Sequence, residues 1–335
     1  MIDSKSQLID RYGRKVTYVR MSITDRCDFR CVYCMDEEMT FMPREQLLTL
    51  EEVAFLLRAF CELGVENIRI TGGEPLVRRN VDWLFEQVGK LKQTTSLKEL
   101  NITTNGSQLV KYAQGMKDEG VDRINISLDS LKPERFKELT RTGELNNVLA
   151  GIQAAKDAGF EKIKLNAVIM KGRNDDEIVD LAHFAIENGL DISYIEEMPL
   201  GQVSHEREES YCSSDEVLAA LNNTLELASS DMTTGGPSRY YTVKGSKSKI
   251  GFISPHSHNF CESCNRVRVT TEGRLLLCLG QDHSVNLRAI IRAHPNNIDR
   301  LKQAIIDSMK IKPEGHDFNI KEQPVIFRHM SVTGG

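Results

Sequence analysis

Hydrophobic and polar positions follow a repeating pattern along roughly the first two thirds of the chain. Short runs rich in β-branched residues predict strands, and longer segments with apolar residues three and four positions apart predict amphipathic helices between them. The strand runs cover residues 19–23, 67–71, 99–104, 123–128, 162–169 and 192–198. Helical segments such as LEEVAFLLRAFCELG and DEIVDLAHFAIENG end in glycine, which is typical of a helix C-terminus. Repeated strand–helix units predict a parallel sheet.

The polar residues of these strands gather at one end of the predicted sheet. They lie at or near the C-terminal ends of the strands, as Thr71-Gly72-Gly73-Glu74, Thr103-Thr104-Asn105-Gly106, Ser127-Leu128-Asp129, Asn166 and Glu196-Glu197-Met198. In α/β folds that rim is where sites assemble. Six units are too few for a closed eight-stranded barrel. The pattern therefore predicts an α/β fold, a partial (β/α)6 TIM-type barrel that is open on one side.

The pattern changes after about residue 230. MTTGGPS is rich in turn residues, and the short strand patterns RYYTV, KIGFIS, RVRVTT and RLLLC follow it, with a hairpin turn predicted at Thr271-Glu272-Gly273. Two helical stretches are predicted at 284–293 and 297–309. We expect residues 1–230 to form the partial barrel and residues 231–335 to form a smaller C-terminal α+β domain that closes the open side.

Composition narrows the possible functions. The 335 residues are 27% charged with a formal net charge of −5, so the chain lacks the overall basic character of a nucleic-acid-binding protein. No apolar run approaches the roughly 18 residues that a membrane helix needs, and the charged start MIDSKSQLIDRYGRK lacks the apolar centre of a signal peptide. We expect a cytoplasmic protein that binds neither nucleic acid nor membrane. In a reducing compartment, clustered cysteines indicate metal or redox chemistry.

Six of the eight cysteines fall into two triplets. The first triplet is Cys27, Cys31 and Cys34, and the second triplet is Cys261, Cys264 and Cys278. Thiolates suit zinc or iron–sulfur clusters, and a 4Fe–4S cluster held by three cysteines keeps one iron open. Zinc is the competing interpretation. It is disfavoured at the first triplet, whose nearest histidine in sequence is His183, and it is stronger at the second, which has His256, His258 and His283 nearby.

The spacing Cys27-x3-Cys31-Val32-Tyr33-Cys34 resembles the cysteine motif of the radical S-adenosylmethionine (SAM) superfamily. The resemblance implies a 4Fe–4S cluster whose open iron binds the amine and carboxylate of SAM, and reductive cleavage of SAM to a 5′-deoxyadenosyl radical. The segment from Thr71 to Pro75 resembles the superfamily's GGEP segment, which receives the SAM amino group. By this resemblance the SAM-binding residues are Tyr33, Gly73, Ser127 and Met198.

The second triplet lies in CESCNRVRVTTEGRLLLC, which resembles the C-terminal motif of the GTP 3′,8-cyclase family. The likeness extends over nearly the whole chain, from VTYVRMSITDRCDFRCVYCM to the terminal Gly334-Gly335, with Asp36 where a proline is common. It implies a second 4Fe–4S cluster whose open iron binds the purine of GTP, and a Gly-Gly tail that reaches the site. The GTP-binding residues that it implies are Arg20, Arg69, Thr103, Lys164, Arg266 and Arg268. Five of these are cations at strand positions, and a triphosphate needs such cations in a chain without a Walker A motif.

The resemblance implies a lyase that converts GTP to (8S)-3′,8-cyclo-7,8-dihydroguanosine 5′-triphosphate, the first step of molybdenum cofactor biosynthesis. It also implies a partner that donates electrons, such as flavodoxin or ferredoxin, and transfer of the product to cyclic pyranopterin monophosphate synthase; a homodimer is a further expectation. One alternative is another two-cluster radical SAM enzyme such as a peptide-modifying maturase, although these commonly have larger cysteine-rich extensions. A second alternative is a non-catalytic zinc or iron–sulfur module, which leaves GGEP and the strand arginines unexplained.

Overall fold

The computed structural model describes residues 7–36, 38–320 and 329–334. Six parallel strands lie side by side in chain order and form the centre of the sheet. They are β1 Tyr18–Ser22, β2 Asn67–Thr71, β3 Glu99–Thr104, β4 Arg123–Ser127, β5 Lys162–Val168 and β6 Asp191–Ile195. All six predicted strands are therefore present, and their ends agree with the sequence pattern to within a few residues.

The connections between these strands are helical. The helices are α1 Leu50–Glu62, α2 Val81–Lys90, α3 Leu109–Asp118, α4 Pro133–Thr140, α5 Leu145–Asp157 and α6 Ile178–Glu187. The start of α1 illustrates the local cause: the Thr49 hydroxyl accepts a hydrogen bond from the Glu52 amide, and the Glu52 carboxylate accepts one from the Thr49 amide. A capping interaction of this kind contributes about 1 kcal/mol. In the described part of the chain, no helix is long and apolar enough to cross a membrane.

The strands after residue 226 extend the same sheet at both edges. β9 Lys249–Ile253 pairs parallel with β6, and β10 Arg266–Val269 pairs parallel with β1. Antiparallel strands follow outward on each side, namely β8 Arg239–Val243 and β7 Leu227–Ser230 beside β9, and β11 Arg274–Leu276 and β12 Ser284–Asn286 beside β10. The predicted partial barrel with a C-terminal region of antiparallel strands is confirmed, and the predicted hairpin between β10 and β11 is present. The sequence pattern did not identify β7, and it wrongly assigned Ser284–Asn286, which form β12, to the helix predicted at 284–293.

The remaining helices are α7 Arg207–Ser210, α8 Ser214–Asn222, α9 Leu287–Ala293, α10 Ile298–Ser308 and α11 Met330–Thr333. The main hydrophobic core lies between the sheet and the helices, where Val19 and Met21 of β1 are fully buried. The intervening residue Arg20 lies on the opposite face of β1, because side chains alternate along a strand. In the sheet register Arg20 lies between Arg69 of β2 and Arg268 of β10. The second face of the sheet is therefore polar and strongly cationic.

Candidate functional site

The first cysteine triplet lies shortly after β1 and lines one cavity. The amide of Phe29 donates a hydrogen bond to Cys27 Sγ at 3.3 Å. Burial raises the pKa of Cys34 to about 12 and also raises the pKa of Cys27 and of Cys31. Buried thiolates need a compensating cation, which a metal cluster supplies. The donor set and its burial thus fit a cluster with three cysteine ligands.

The GGEP segment is held against the chain that leads into this cysteine loop. The Gly73 amide donates to the Thr24 carbonyl at 2.7 Å, and the Glu74 amide donates to the Arg26 carbonyl at 2.8 Å. A Cβ on Gly73 would lie 2.3 Å from the Arg26 carbonyl oxygen, so only glycine permits this approach. The close pairing of the two segments fixes the position of Gly73 in the wall of the cysteine cavity.

Glu74 joins the same segment to the end of β3. Its carboxyl group accepts hydrogen bonds from the Leu76 amide at 2.9 Å, the Thr104 hydroxyl at 2.8 Å and the Asn105 amide at 2.6 Å. Burial raises the pKa of Glu74 to about 8, although these donors oppose the shift. Asn105 in turn directs its side-chain amide toward Cys27 Sγ at 3.8 Å. Two strand ends and the cysteine loop are thereby connected through one buried carboxyl group.

The four predicted SAM-binding residues line two adjoining cavities. Tyr33 and Ser127 border both the cysteine cavity and a neighbouring cavity. Gly73 borders the cysteine cavity alone, whereas Met198 borders the neighbouring cavity and the large cavity of the second triplet. The Tyr33 hydroxyl donates to Asp129 Oδ2 at 2.7 Å. The structure thus brings these residues together, with Met198 farther from the cysteines than the other three.

The second cysteine triplet lines a larger cavity. His256, His258 and His283, the candidate zinc ligands, are not among the described residues that border it. His256 Nε2 instead lies 3.0 Å from the Glu197 carbonyl, and His258 Nε2 lies 2.8 Å from Asp215. Among the described residues, no three His, Cys, Asp or Glu side chains are already arranged around a metal position, and this holds for both cysteine triplets. These three histidines therefore lie outside the described lining of this cavity, whereas His316 borders it.

Five predicted GTP-binding cations border this same large cavity: Arg20, Arg69, Lys164, Arg266 and Arg268. No Asp or Glu is among the described residues that line it. Burial, together with the nearby Arg266, lowers the pKa of Arg268 to about 10, and burial also lowers the pKa of Lys164. The Oδ1 atoms of Asn125 and Asn166, which also line the cavity, have no hydrogen-bond partner. The concentration of buried cations favours an anionic ligand of considerable charge.

Thr103, the sixth predicted GTP-binding residue, is placed differently. Thr103 lines the cavity of the first cysteine triplet and the neighbouring cavity. It is not among the described residues that line the large cavity, which contains the five cations. Arg69 Nη1 donates to the Thr103 hydroxyl at 3.4 Å. Thr103 therefore lies where the cationic cavity meets the other two.

The C-terminal segment reaches all three cavities. Met330 of α11 lines each of them. The Gly334 carbonyl accepts a hydrogen bond from Arg268 Nη1, and the Val332 carbonyl accepts one from the Thr271 amide at 3.4 Å. Gly335, the last residue of the predicted tail, lies outside the described residues.

Sequence reasoning assigned no role to several residues that contact the site. Asp129 accepts hydrogen bonds from Tyr33 and from the Val168 amide, and burial raises its pKa to about 6. Asp129 and Asn105 lie in strand-end motifs that could have identified them. Met330 and Lys312 lie in segments without a recognisable motif, so only the fold brings them to the site.

Two family models match this chain. "Radical SAM superfamily" matches residues 21–185, and "Molybdenum Cofactor Synthesis C" matches residues 190–318. Among solved structures, Streptococcus suis SuiB superimposes with a TM-score of 0.61 at 15% sequence identity, covering 96% of this chain and 78% of that chain. This likeness supports the fold alone.

Curated relatives match over the full length. A GTP 3′,8-cyclase of Saccharophagus degradans is 59% identical over 98% of this chain and 99% of its own length. A GTP 3′,8-cyclase of Pseudomonas putida (strain W619) is 55% identical over the whole of both chains. The chain therefore belongs to the GTP 3′,8-cyclase family of the radical SAM superfamily.

Proposed function

We propose that this protein converts GTP to (8S)-3′,8-cyclo-7,8-dihydroguanosine 5′-triphosphate, the first step of molybdenum cofactor biosynthesis. The observation that carries the proposal is the pair of cysteine triplets at opposite ends of connected cavities, with five cations around the second. Tyr33, Thr103 and Ser127 border both of the first two cavities, and Met198 borders the second and third. A radical source at one end can thus reach a polyanionic substrate at the other.

The first triplet, Cys27, Cys31 and Cys34, would hold a 4Fe–4S cluster with SAM on its open iron. When bound, the cluster and SAM would supply the 5′-deoxyadenosyl radical for removal of the C3′ hydrogen atom of the GTP ribose, and completing the C3′–C8 bond to a closed-shell product would take one further electron from the reductant and one proton. The protein's residues position these groups and exclude water. Gly73 would receive the SAM amino group through its backbone, while Tyr33, fixed by Asp129, Ser127 and Met198 would contact the rest of the cofactor.

The second triplet, Cys261, Cys264 and Cys278, would hold another 4Fe–4S cluster, whose open iron binds the purine. Arg20, Arg69, Lys164, Arg266 and Arg268 would neutralise the triphosphate, and Thr103 would contact GTP from the junction of the cavities. The unpaired oxygens of Asn125 and Asn166 are available to accept hydrogen bonds from the base or the ribose. Binding the base at one point and the phosphates at others orients C3′ and C8 for bond formation.

The remaining expectations complete the proposal. We infer that residues 1–230 form the radical SAM partial barrel and that residues 231–335 supply the second cluster and the tail. A cytoplasmic electron donor such as flavodoxin or ferredoxin would reduce the first cluster. The product would pass to cyclic pyranopterin monophosphate synthase, and a homodimer is compatible with these assignments.

The test is anaerobic incubation of the reconstituted protein with SAM, dithionite and GTP, followed by analysis of 5′-deoxyadenosine and of the cyclised nucleotide. Cys27→Ala should remove both products and lower the iron content from about eight atoms per chain to about four. Cys61→Ala is the matched control, because Cys61 is buried in α1 away from both triplets. Absence of cyclised nucleotide from the parental protein with both clusters loaded would refute the proposal.

A further inference from the structure

Lys312 is a buried lysine at the second cysteine triplet, and its side chain joins the segments that carry two of the three cysteines. It is 1% exposed. Its Nζ donates to the Leu277 carbonyl at 2.7 Å and to the Arg266 carbonyl at 3.1 Å, and it lies 3.9 Å from Cys264 Sγ. Leu277 directly precedes Cys278, and Arg266 is two residues after Cys264. One ammonium group therefore connects both ends of the β10–β11 hairpin.

Among the described residues, no Asp or Glu side chain forms an ion pair with the Lys312 ammonium group. Its hydrogen-bond acceptors there are two carbonyl oxygens and the Cys264 sulfur. Lys302, by comparison, forms ion pairs with Glu62 and Asp299. A buried ammonium is costly unless an anion lies close to it. Cys264 as a thiolate ligand would supply that anion.

A second cation holds the segment that contains Lys312 against the triplet. Arg14 donates to the Cys261 carbonyl at 2.7 Å and to the Pro313 carbonyl at 2.6 Å, while it pairs with Asp10 at 2.7 Å. A Cβ on Gly315 would lie 3.3 Å from Cys261 Sγ, so the segment passes directly beside that cysteine. The backbone on the C-terminal side of Lys312 is thus held beside the triplet, and the Lys312 ammonium is held near Cys264 by its own hydrogen bonds to the Leu277 and Arg266 carbonyls.

The first triplet has no comparable cation in contact with its sulfurs among the described residues. Cys27 Sγ contacts the neutral side-chain amide of Asn105 at 3.8 Å, and Asp28 lies beside it at 4.0 Å. The two triplets therefore differ in the charge placed next to a ligand sulfur. A fixed positive charge stabilises the reduced form of an iron–sulfur cluster, because reduction adds one negative charge.

We propose that Lys312 is a positioning residue of the second triplet, which holds Cys264 and Cys278 in place for cluster binding and raises the reduction potential of the cluster bound there. The proposal rests on the second cluster of the proposed function. It extends that function by assigning a share of the electrostatic control of this cluster, beside that of Arg266, to a buried ammonium group outside the cysteine motif.

The experiment uses the full chain with Cys27, Cys31 and Cys34 all replaced by Ala, so that only the second cluster is present. Lys312→Met keeps an unbranched side chain that is one atom shorter and removes its charge, and Lys312→Arg keeps the charge. Lys310→Met is the matched control, because Lys310 is two residues away, its side chain is 75% exposed and it pairs with Asp307. After anaerobic reconstitution, iron content and a redox titration followed by electron paramagnetic resonance are measured for each variant.

The expected result is a second cluster in the parent, in Lys312→Arg and in Lys310→Met. Where Lys312→Met also binds the cluster, its midpoint potential should be more negative than in the parent and in Lys310→Met. Loss of iron from Lys312→Met that Lys312→Arg restores would equally support the proposal. A loaded Lys312→Met cluster with the parental midpoint would overturn it, as would equal iron loss from the Met and Arg variants with the fold retained by circular dichroism. Failure of the parent itself to bind iron would instead refute the second cluster of the proposed function.

Discussion

Gly334 is a glycine that the structure requires for two separate reasons. Its φ of 80° lies in a region that other residues rarely adopt. A Cβ built on it would also lie 2.2 Å from Thr71 Cγ2, which is far inside van der Waals contact. The Gly334 amide donates to the Met330 carbonyl at 2.8 Å, and its own carbonyl accepts from Arg268. Gly334→Ala should therefore displace the tail from the site.

The size of the effect follows from these contacts. Holding alanine at an unfavourable φ costs about 1–3 kcal/mol, and the contact with Thr71 adds to that cost. The equilibrium constant for docking of the tail should therefore fall by roughly 5- to 150-fold. If the tail acts in the reaction, the rate of GTP cyclisation should fall by a similar factor.

Two further variants separate the causes. Gly245→Ala introduces alanine at a φ of 79° with no atom within 4 Å of the new Cβ, so it tests backbone strain alone. Gly245 is far in sequence from any predicted site residue, and this variant should leave cyclisation unchanged. Combining Gly334→Ala with Thr71→Ser removes the Cγ2 contact and should restore part of the lost rate, relative to Thr71→Ser alone. Cyclisation at the parental rate by Gly334→Ala, with iron content unchanged, would refute this reasoning.

Three other perturbations test different parts of the site. Replacing Arg266 or Arg268 with Ala should weaken GTP binding roughly tenfold or more, since a charge-assisted contact contributes about 1.5–3 kcal/mol, and calorimetry should show SAM binding nearly unchanged; equal losses for both ligands would indicate unfolding instead. Cys278→Ser should retain some SAM cleavage while cyclisation collapses, whereas parallel loss of both products would contradict separate roles for the triplets. Burial raises the pKa of Asp129 from 3.8 to about 6. Between pH 3.8 and pH 6 the folded chain therefore binds more protons at this carboxyl group than the unfolded chain does. The contribution of Asp129 to the free energy of unfolding consequently falls as pH rises through that window. Asp129→Asn should flatten that decline by up to about 3 kcal/mol in denaturant unfolding of the metal-free protein, and identical pH profiles would contradict the assignment.

The core strands were predictable because their periodicity and length agree with their tertiary role. The run NIRIT was predicted at 67–71, and β2 occupies Asn67–Thr71. β7 and β12 were missed for a physical reason. LASS and SVN are short, contain few β-branched residues and lie at the sheet edges, where little burial shapes the sequence. Their strand conformation depends on pairing with the adjacent strand and not on the residues of the segment itself.

The grouping of the predicted site residues could be read from the sequence where they form a compact motif, but not where it depends on folding. Each cysteine triplet lines a single cavity, as the spacing implied. The cations of β1, β2 and β10 are distant in sequence, yet the register places Arg20 beside Arg69 and Arg268. Lys312 had no such signal, because a lysine after a short helix usually lies in solvent. Its burial became visible only when the hairpin and the segment after α10 were placed together.

The charges along the three cavities are separated in a way that suits the two proposed ligands. The cysteine cavity of the first triplet includes Asp129, and the neighbouring cavity includes Glu196 and Glu197; neither includes Lys or Arg among the described residues that line it. The large cavity has the opposite composition, with five cations and no described carboxylate. SAM carries a sulfonium cation and GTP carries several negative charges. This arrangement would favour SAM at the first triplet and GTP at the second. If the two ligands exchanged places, each would lose water beside fixed charges of its own sign, which is costly in a site of low dielectric. The same fixed charges that bind GTP would thereby also keep the radical source and the substrate in the correct order, which is why neutralising Arg266 or Arg268 should affect GTP far more than SAM.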